Sequence, residues 1–245
     1  MADSLISIRG VTRTFRLGNQ EVRALRGIDL EVPKGHYVSI MGPSGSGKST
    51  LFNMIGGLDV PTSGDVVVEG WRLSDLDTDQ LAWFRCHKIG FIFQSFNLIA
   101  TMTAQENVAI ARTFAGCSYE QSMRDAAEVL ERVGLGHRLK NLPSQVSGGQ
   151  QQRIAIARAL VNRPLIILAD EPTGNLDLKT GQDIIDVLDE MKRDYGVTIV
   201  TATHDMKMVS ASDLLARIRN GVIDELLTKD EMDVTVGTID GESIA

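Results

Sequence analysis

Short apolar runs alternate along the chain with stretches of helical periodicity. Leu5–Arg9 is typical of a strand, and 22–32 of its hairpin partner, with Asn19 in the turn between them. Five further apolar runs, several of them β-branched, predict strands at 37–41, 65–69, 88–93, 165–169 and 197–202. Helical spacing predicts helices within 49–57, 103–133, 178–194 and 205–212. Strands that alternate with helices predict an α/β fold with a mostly parallel sheet.

Composition narrows the class of protein. The chain has 245 residues, 43% of them hydrophobic, which is enough for one well-packed domain. The longest uncharged stretch, 89–105, contains Gln94, Ser95 and Asn97 and falls short of the roughly 18–20 apolar residues that a membrane span needs. The N-terminus lacks the basic and apolar regions of a signal peptide. We therefore expect no direct membrane insertion.

The net charge of the chain limits the kinds of partner that it can attract. The formal net charge of −7 argues against electrostatic attraction to nucleic acid or to anionic lipid. A role at a membrane would then require a protein partner. Five acids and one lysine in the last eighteen residues predict a loosely ordered acidic tail at 228–245.

A glycine-rich motif follows the predicted strand at 37–41. It consists of Gly42, Pro43, Ser44, Gly45, Ser46, Gly47, Lys48 and Ser49, followed by Thr50, and has the form G-x-x-x-x-G-K-S. Glycines leave backbone N–H groups accessible to a phosphate, and the following helix presents its N-terminal dipole to the anion. Lys48 is expected to reach the β- and γ-phosphates and the Ser49 hydroxyl to bind Mg²⁺. The alternative is a chance glycine-rich turn before a helix.

Two carboxylates end the predicted strand at 165–169. In an open α/β sheet, ligands bind at the carboxyl ends of the strands, so Asp170 and Glu171 are expected near the phosphate motif. Asp170 is expected to hold the metal and Glu171 to polarise the attacking water as general base. The competing interpretation is a solvated turn.

A second serine–glycine segment makes the assignment specific. Val146, Ser147, Gly148, Gly149 and Gln150 closely resemble the L-S-G-G-Q signature of the ABC family, with valine in place of leucine. The resemblance implies that this segment grips the γ-phosphate of ATP held by an opposing subunit, at a helix start. As an alternative, the segment simply caps a helix at 151–161.

Other positions resemble the motifs of the same family, in the same order. Gln94 ends a strand as the glutamine of the family's Q-loop does, and the resemblance implies that its amide touches metal and water. The segment formed by Asn175, Leu176 and Asp177 resembles the D-loop that crosses the dimer interface.

Two ring-bearing residues complete the resemblance. His204 matches the switch histidine that senses the γ-phosphate, although a lone histidine is usually structural. Phe15 matches the aromatic position that stacks on adenine, where most relatives carry tyrosine, and phenylalanine keeps the π-face. The alternative for Phe15 is ordinary hairpin core.

The resemblance implies a domain plan. The whole chain, 1–245, would be a single ABC ATPase domain with a RecA-like P-loop NTPase core and an N-terminal antiparallel β subdomain. Core and β subdomain would cover 1–94 and 164–227. An inserted helical subdomain at 95–163 would carry the signature, and the acidic tail at 228–245 lies outside the resemblance.

Within the family, the chain most resembles the macrolide-exporter and lipoprotein-release ATPases, MacB and LolD. The residues behind this are those at 22–28, 39–50, 93–98 and 148–153. Cell-division and heterocyst-exporter ATPases look similar over these stretches. The implied cofactors are ATP and Mg²⁺. The implied partners are a second ATPase subunit, as a homodimer, and transmembrane permease subunits of MacB type with an extracytoplasmic domain. The implied location is the cytoplasmic face of the inner membrane, as a peripheral subunit.

Three alternatives stay open. A soluble ABC ATPase acting on DNA or ribosomes would carry a coiled-coil insertion or two cassettes, and neither pattern is present. A binding module without turnover would have lost Glu171 or His204. An ABC importer ATPase would commonly carry a C-terminal regulatory domain, although some importers lack it.

Overall fold

A computed structural model describes residues 4–18 and 20–232, together with the backbone of 234–235, 238–239 and 242–243. Asn19, predicted in a turn, and the rest of the predicted acidic tail lie outside the described residues. The strands are β1 (Ser4–Leu17), β2 (Gln20–Pro33), β3 (Tyr37–Met41), β4 (Ser63–Val68), β5 (Trp71–Arg72), β6 (Ile89–Phe93), β7 (Ile166–Asp170), β8 (Thr198–Thr203), β9 (Leu214–Arg219), β10 (Val222–Thr228), β11 (Val234–Thr235), β12 (Thr238–Ile239) and β13 (Glu242–Ser243).

Seven α-helices are present within the described ranges. They are α1 (Lys48–Ile55), α2 (Thr78–Lys88), α3 (Ala104–Phe114), α4 (Tyr119–Arg132), α5 (Gly148–Leu160), α6 (Leu178–Tyr195) and α7 (Met206–Ala211). None of the helices in the described part of the chain is long and apolar enough to cross a membrane. Contacts divide the chain into two compact units, one of residues 1–81 and 198–245 and the other of 82–197.

The first unit begins with an antiparallel sheet in the order β2-β1-β4-β5. The hairpin of β1 and β2 is longer than the sequence predicts, because each strand runs for 14 residues. Arg13 pairs with Leu25 and Thr14 pairs with Arg23, so Ala24 is an extra residue in β2. Such a bulge bends the strand and re-aims the groups at its position.

The same unit contains a parallel arrangement around β3. This strand is buried along its whole length and lies between β8 and β9, parallel to both, while β10 pairs antiparallel with β9. Met41, the last residue of β3, pairs with Thr203, the last residue of β8. The residues that follow these two strands therefore emerge at the same edge of the sheet.

The second unit contains the parallel pair β6 and β7 together with α3, α4, α5 and α6. Phe93 and Asp170, the last residues of the two strands, pair in register. Helical periodicity predicts one stretch at 103–133, but α3 ends at Phe114. Gly116 then takes a φ of +90°, and Ser118 caps the separate helix α4 through the N–H of Gln121. A left-handed residue followed by an N-cap ends one helix and begins the next.

The pattern of apolar and polar residues did not predict several elements and misplaced the start of another. The helix α2 fully buries only Phe84 within its own span, so it has no apolar stripe to reveal it. The edge strand β10 alternates half-buried and exposed positions and has no strong apolar run. The predicted start of a helix at Gln151 is wrong by three residues, because Ser147 is the N-cap and α5 begins at Gly148.

Candidate functional site

The segment 42–49, hereafter the phosphate loop, connects β3 to α1 within the first unit. Gly45 and Gly47 take left-handed φ values of +76° and +111°, which residues with a side chain rarely adopt. Gly47 stands at the N-cap of α1, and no side chain caps that helix end. The ammonium of Lys48 folds back over the loop and donates to the carbonyl oxygens of Gly42 at 2.6 Å and Pro43 at 3.0 Å. The loop thus enters α1 through a glycine with a left-handed backbone, and it carries a positive charge at its opening.

Neighbouring backbone holds the phosphate loop in this shape. A side-chain carbon at Gly47 would lie 2.7 Å from the carbonyl oxygen of Ala24, the extra residue of the bulge in β2. Gly42 has no room for a side chain either, because its Cβ would collide with the carbonyl oxygen of Ile218. The carbonyl of Ser46 accepts the N–H of Gly221 at 2.9 Å.

Two features of the phosphate loop suit an anion. The hydroxyl of Ser46 is buried and has no hydrogen-bond partner among the described residues. The N–H groups at the start of α1 lack a side-chain cap, and such groups, with the helix dipole, form a binding site for phosphate. The loop therefore fits the phosphates of a nucleotide.

His204 and Phe15 belong to the same unit. His204 follows β8 directly and is exposed. Because Met41 and Thr203 pair in register, His204 and the phosphate loop leave the sheet at the same edge. Phe15 lies near the end of β1 with 36% of its surface exposed, so it is not closed into the hairpin core.

Asp170, Glu171 and Gln94 belong to the second unit. The register of Phe93 with Asp170 brings Gln94 and Glu171 to the same end of the β6–β7 pair. Glu171 takes a left-handed φ of +43°, which is uncommon for a residue with a side chain and is typical of functional sites.

A short turn and a buried side chain hold Glu171. Its carbonyl accepts the N–H of Gly174 at 3.0 Å. The amide of Gln152, fully buried in α5, donates to the carbonyl of Pro172 at 2.7 Å. The helix that follows the signature segment is therefore bonded to the turn that carries the predicted base.

The predicted Q-loop and D-loop residues are bonded to each other. The side-chain amide of Asn175 donates to the backbone carbonyl of Gln94 at 2.9 Å, and the amide of Gln94 lies 3.5 Å from Asn175 Oδ1. A Cβ at Gly174 would lie 2.8 Å from Gln94 Nε2, so the turn passes close to this glutamine. The two segments are adjacent, although 81 positions separate them in sequence.

Arg158 fixes the chain that follows Gln94. Its guanidinium donates to the carbonyls of Phe96 and Asn97, two residues with left-handed φ values of +60° and +49°. Burial lowers the pKa of Arg158. Like Gln152, this arginine lies on α5, and no local sequence pattern distinguishes either residue from the other polar residues of the helix. Sequence reasoning missed both.

Residues 146–150, the signature segment, lead into α5. The Ser147 hydroxyl accepts the N–H of Gln150 at 3.3 Å, and the Gln150 side chain accepts the N–H of Ser147 at 3.1 Å. This is a capping box, so the capping interpretation of the segment is confirmed. A serine hydroxyl also carries one donor, which this bond leaves available for a phosphate.

The signature segment packs against the predicted D-loop. A Cβ at Gly149 would collide with the methyl group of Thr180, and a Cβ at Gly148 would lie 3.4 Å from a methyl group of Leu176. Asp177 caps α6 through the N–H groups of Lys179 and Thr180, each at 3.1 Å. Hydrogen bonds from Thr180 hold the pKa of Asp177 below its usual range. Asp177 therefore has a structural role within its own subunit.

Comparison with known sequences and folds defines the class. The sequence profile described as "ABC transporter" matches residues 25–174. A solved structure described as a dimeric post-hydrolysis state of the ATP-binding cassette MJ0796, bound to ADP and Pi, superposes with a TM-score of 0.84. It is 42% identical and covers 91% of this chain and 98% of its own. The predicted α/β class with a P-loop NTPase core is confirmed.

Related proteins of known sequence indicate the same class of ATP-binding protein. An uncharacterized ABC transporter ATP-binding protein of Thermotoga maritima is 50% identical over 214 residues, 87% of this chain and 91% of that protein. The macrolide export ATP-binding/permease protein MacB of Syntrophobacter fumaroxidans is 48% identical over 222 residues, 90% of this chain. The chain spans 31% of the length of that MacB protein. This chain belongs to the ABC transporter family as an ATP-binding subunit, and it is an ATPase.

Proposed function

We propose that this chain is the ATP-hydrolysing subunit of an export or mechanotransmission complex of the MacB and LolD group. The observation that carries the proposal is its 45–48% identity to MacB proteins over about 90% of its length. Those relatives are named as ATP-binding and permease proteins in one chain, whereas this chain matches about a third of them.

The first unit supplies the groups that hold the nucleotide. Residues 42–50 bind the phosphates through backbone N–H groups, and Lys48 exchanges its loop carbonyls for the β- and γ-phosphates. Phe15 stacks on the adenine with its exposed side. His204 senses the γ-phosphate from the edge that it shares with the phosphate loop.

Mg²⁺ would be held by Ser49, Gln94 and Asp170. Their hydroxyl, amide and carboxylate oxygens are the hard donors that this ion prefers, and it is usually bound through one or two carboxylates together with substrate phosphates. When bound, it would neutralise charge that develops on the phosphates.

Glu171 is the general base. Its left-handed backbone and the bond from Gln152 to the carbonyl of Pro172 fix the backbone from which the carboxylate extends, which suits a group that orients an attacking water. Gln94 takes part through its amide beside Asn175.

Two copies would form a head-to-tail dimer in which each signature segment binds the ATP of the other. Residues 175–177 would cross that interface as the D-loop. Leu178, an apolar side chain next to these residues with 79% of its surface accessible, would lie at the same interface. The complex would lie at the cytoplasmic face of the inner membrane, on a permease with few spans and an extracytoplasmic domain.

Phosphate release by wild type and by Glu171→Gln tests the assignment of the base. The variant keeps the shape of the side chain but cannot accept a proton, so turnover falls by about 10²–10⁴-fold while ATP binding is retained. Glu190→Gln is the matched control, because this exposed glutamate lies on α6 away from the predicted motifs and should leave turnover unchanged. Equal turnover in Glu171→Gln and wild type would refute the assignment.

Purification of the ATPase with its neighbours from native membrane tests the transporter group. A permease with four spans and an outer domain is expected. A permease with ten or more spans would contradict the proposal.

A further inference from the structure

Arg13 lies directly against the ring of Phe15. The two residues are two positions apart in β1, so they share one face of the strand. The bulge at Ala24 places the extra residue in the partner strand and leaves this alternation intact. The guanidinium carbon of Arg13 lies 4.7 Å from the centroid of the Phe15 ring, within the range of a cation–π contact.

Asp59 holds the other side of Arg13. Its Oδ1 lies 2.8 Å from Arg13 Nη2 and also accepts the N–H of Val60 at 2.8 Å. The side chains of the pair are only 24% and 28% exposed, so solvent screens it less than an open surface pair. The Nε of Arg13 is buried without a hydrogen-bond partner in the described part of the chain. The ion pair with Asp59 and the contact with the Phe15 ring therefore hold the guanidinium in position.

The segment that carries Asp59 is itself bonded to β1. The N–H of Thr62 donates to the carbonyl of Thr12 at 2.8 Å, and the N–H of Thr14 donates to the Thr62 hydroxyl at 3.0 Å. This segment follows α1, the helix that begins at the phosphate loop. The strand that carries Phe15 is thus hydrogen-bonded to the segment that follows α1, and α1 begins at the phosphate end of the proposed nucleotide site.

We propose that Arg13 is a positioning residue for the nucleotide base. The inference rests on the proposed function, in which Phe15 stacks on the adenine. A phenyl ring has two faces, and the guanidinium covers one, so the base stacks on the opposite face. Asp59 fixes the guanidinium, and the guanidinium fixes the plane of the ring before nucleotide arrives. Ordering the ring in advance lowers the entropy that binding would otherwise lose.

This arrangement predicts a distinct pattern of selectivity. Stacking uses the π-face that every base has, so Arg13 should favour ATP and GTP by the same factor. It should make no difference to inorganic triphosphate, which has no base. A role limited to joining β1 to the segment around Asp59 would alter the stability of the fold without this dependence on the base.

Calorimetric titration of the full-length chain with ATP, GTP and inorganic triphosphate provides the test. Arg13→Leu should weaken both nucleotides by about two- to fivefold, the size of an exposed cation–π contact, and leave triphosphate unchanged. Arg13→Lys keeps the charge that pairs with Asp59 but lacks the flat group, so it should also weaken both nucleotides. Arg9→Leu is the control, because Arg9 lies on the same strand and pairs with Glu31 at 3.7 Å.

The decisive comparison repeats Arg13→Leu in a Phe15→Ala background. If Arg13 acts through the ring, the double variant binds ATP as Phe15→Ala does, because the two contributions are coupled. An equal loss in both backgrounds, wild-type affinity in Arg13→Leu, or wild-type affinity in Arg13→Lys would overturn the inference. Wild-type affinity in Phe15→Ala would instead overturn the proposed stacking on Phe15, which should be worth about fivefold or more.

Discussion

Gly221 should be required for the shape of the phosphate loop, although it lies in the turn between β9 and β10. Its N–H donates to the carbonyl of Ser46 at 2.9 Å, and its carbonyl accepts the N–H of Arg26 at 2.8 Å. Its φ is +79°, and a Cβ there would lie 2.6 Å from the carbonyl oxygen of Ala24. Gly221→Ala therefore combines a strained backbone with a collision against backbone.

The expected cost follows from these two terms. The left-handed conformation costs a residue with a side chain about 1–2 kcal/mol, and overpacking adds about 1–3 kcal/mol, so the free energy of unfolding should fall by about 2–5 kcal/mol. A shift of Ser46 would also misplace N–H groups of the phosphate loop. Loss of one hydrogen bond to a charged phosphate would weaken ATP binding by about tenfold or more.

Gly35→Ala measures the cost of the left-handed backbone without the cost of a collision. Gly35 has a φ of +73°, close to that of Gly221, but its Cβ would meet no atom within 4 Å. It should lose only about 1–2 kcal/mol of stability and bind ATP normally. Urea unfolding and calorimetric titration with ATP measure both effects. If Gly221→Ala matches Gly35→Ala in stability and wild type in affinity, the reasoning is wrong.

Two further substitutions test contacts in the second unit. Asn175→Ala removes the donor to the carbonyl of Gln94, so ATP turnover should fall several-fold with ATP affinity unchanged, and a parallel loss of affinity would contradict this. Asp125→Asn should lower the free energy of unfolding by about 1 kcal/mol at pH 7, because Arg112 donates to Asp125 at 2.7 Å. That hydrogen bond holds the pKa of Asp125 below its usual range, so the stabilisation is full above the unfolded pKa and is lost as the pH falls through the lower folded value. Urea unfolding across this acidic range measures the difference, and a difference independent of pH would argue against the pair.

The local structure around the motifs was predictable because each motif is carried by neighbouring residues. A strand, a glycine-rich loop and a helix in succession define the phosphate loop, and the structure has β3, the loop and α1 in that order. Asp170 and Glu171 end a buried strand in the same local way. Local periodicity did not predict α2, because that helix buries few of its side chains. It also did not predict the turn at Gly116 that divides the helical stretch into two helices.

The sequence by itself determined the family and the α/β class, and it predicted the residues proposed to bear the chemistry, because these depend on residue types at short spacing. Only the tertiary structure decided what positions those residues. Arg13 meets Asp59 across 46 positions, and Asn175 meets Gln94 across 81. A single extra residue in β2, at Ala24, aims a carbonyl at Gly47. Such contacts depend on strand register and on the close approach of distant backbone, and no local pattern of apolar and polar residues encodes either.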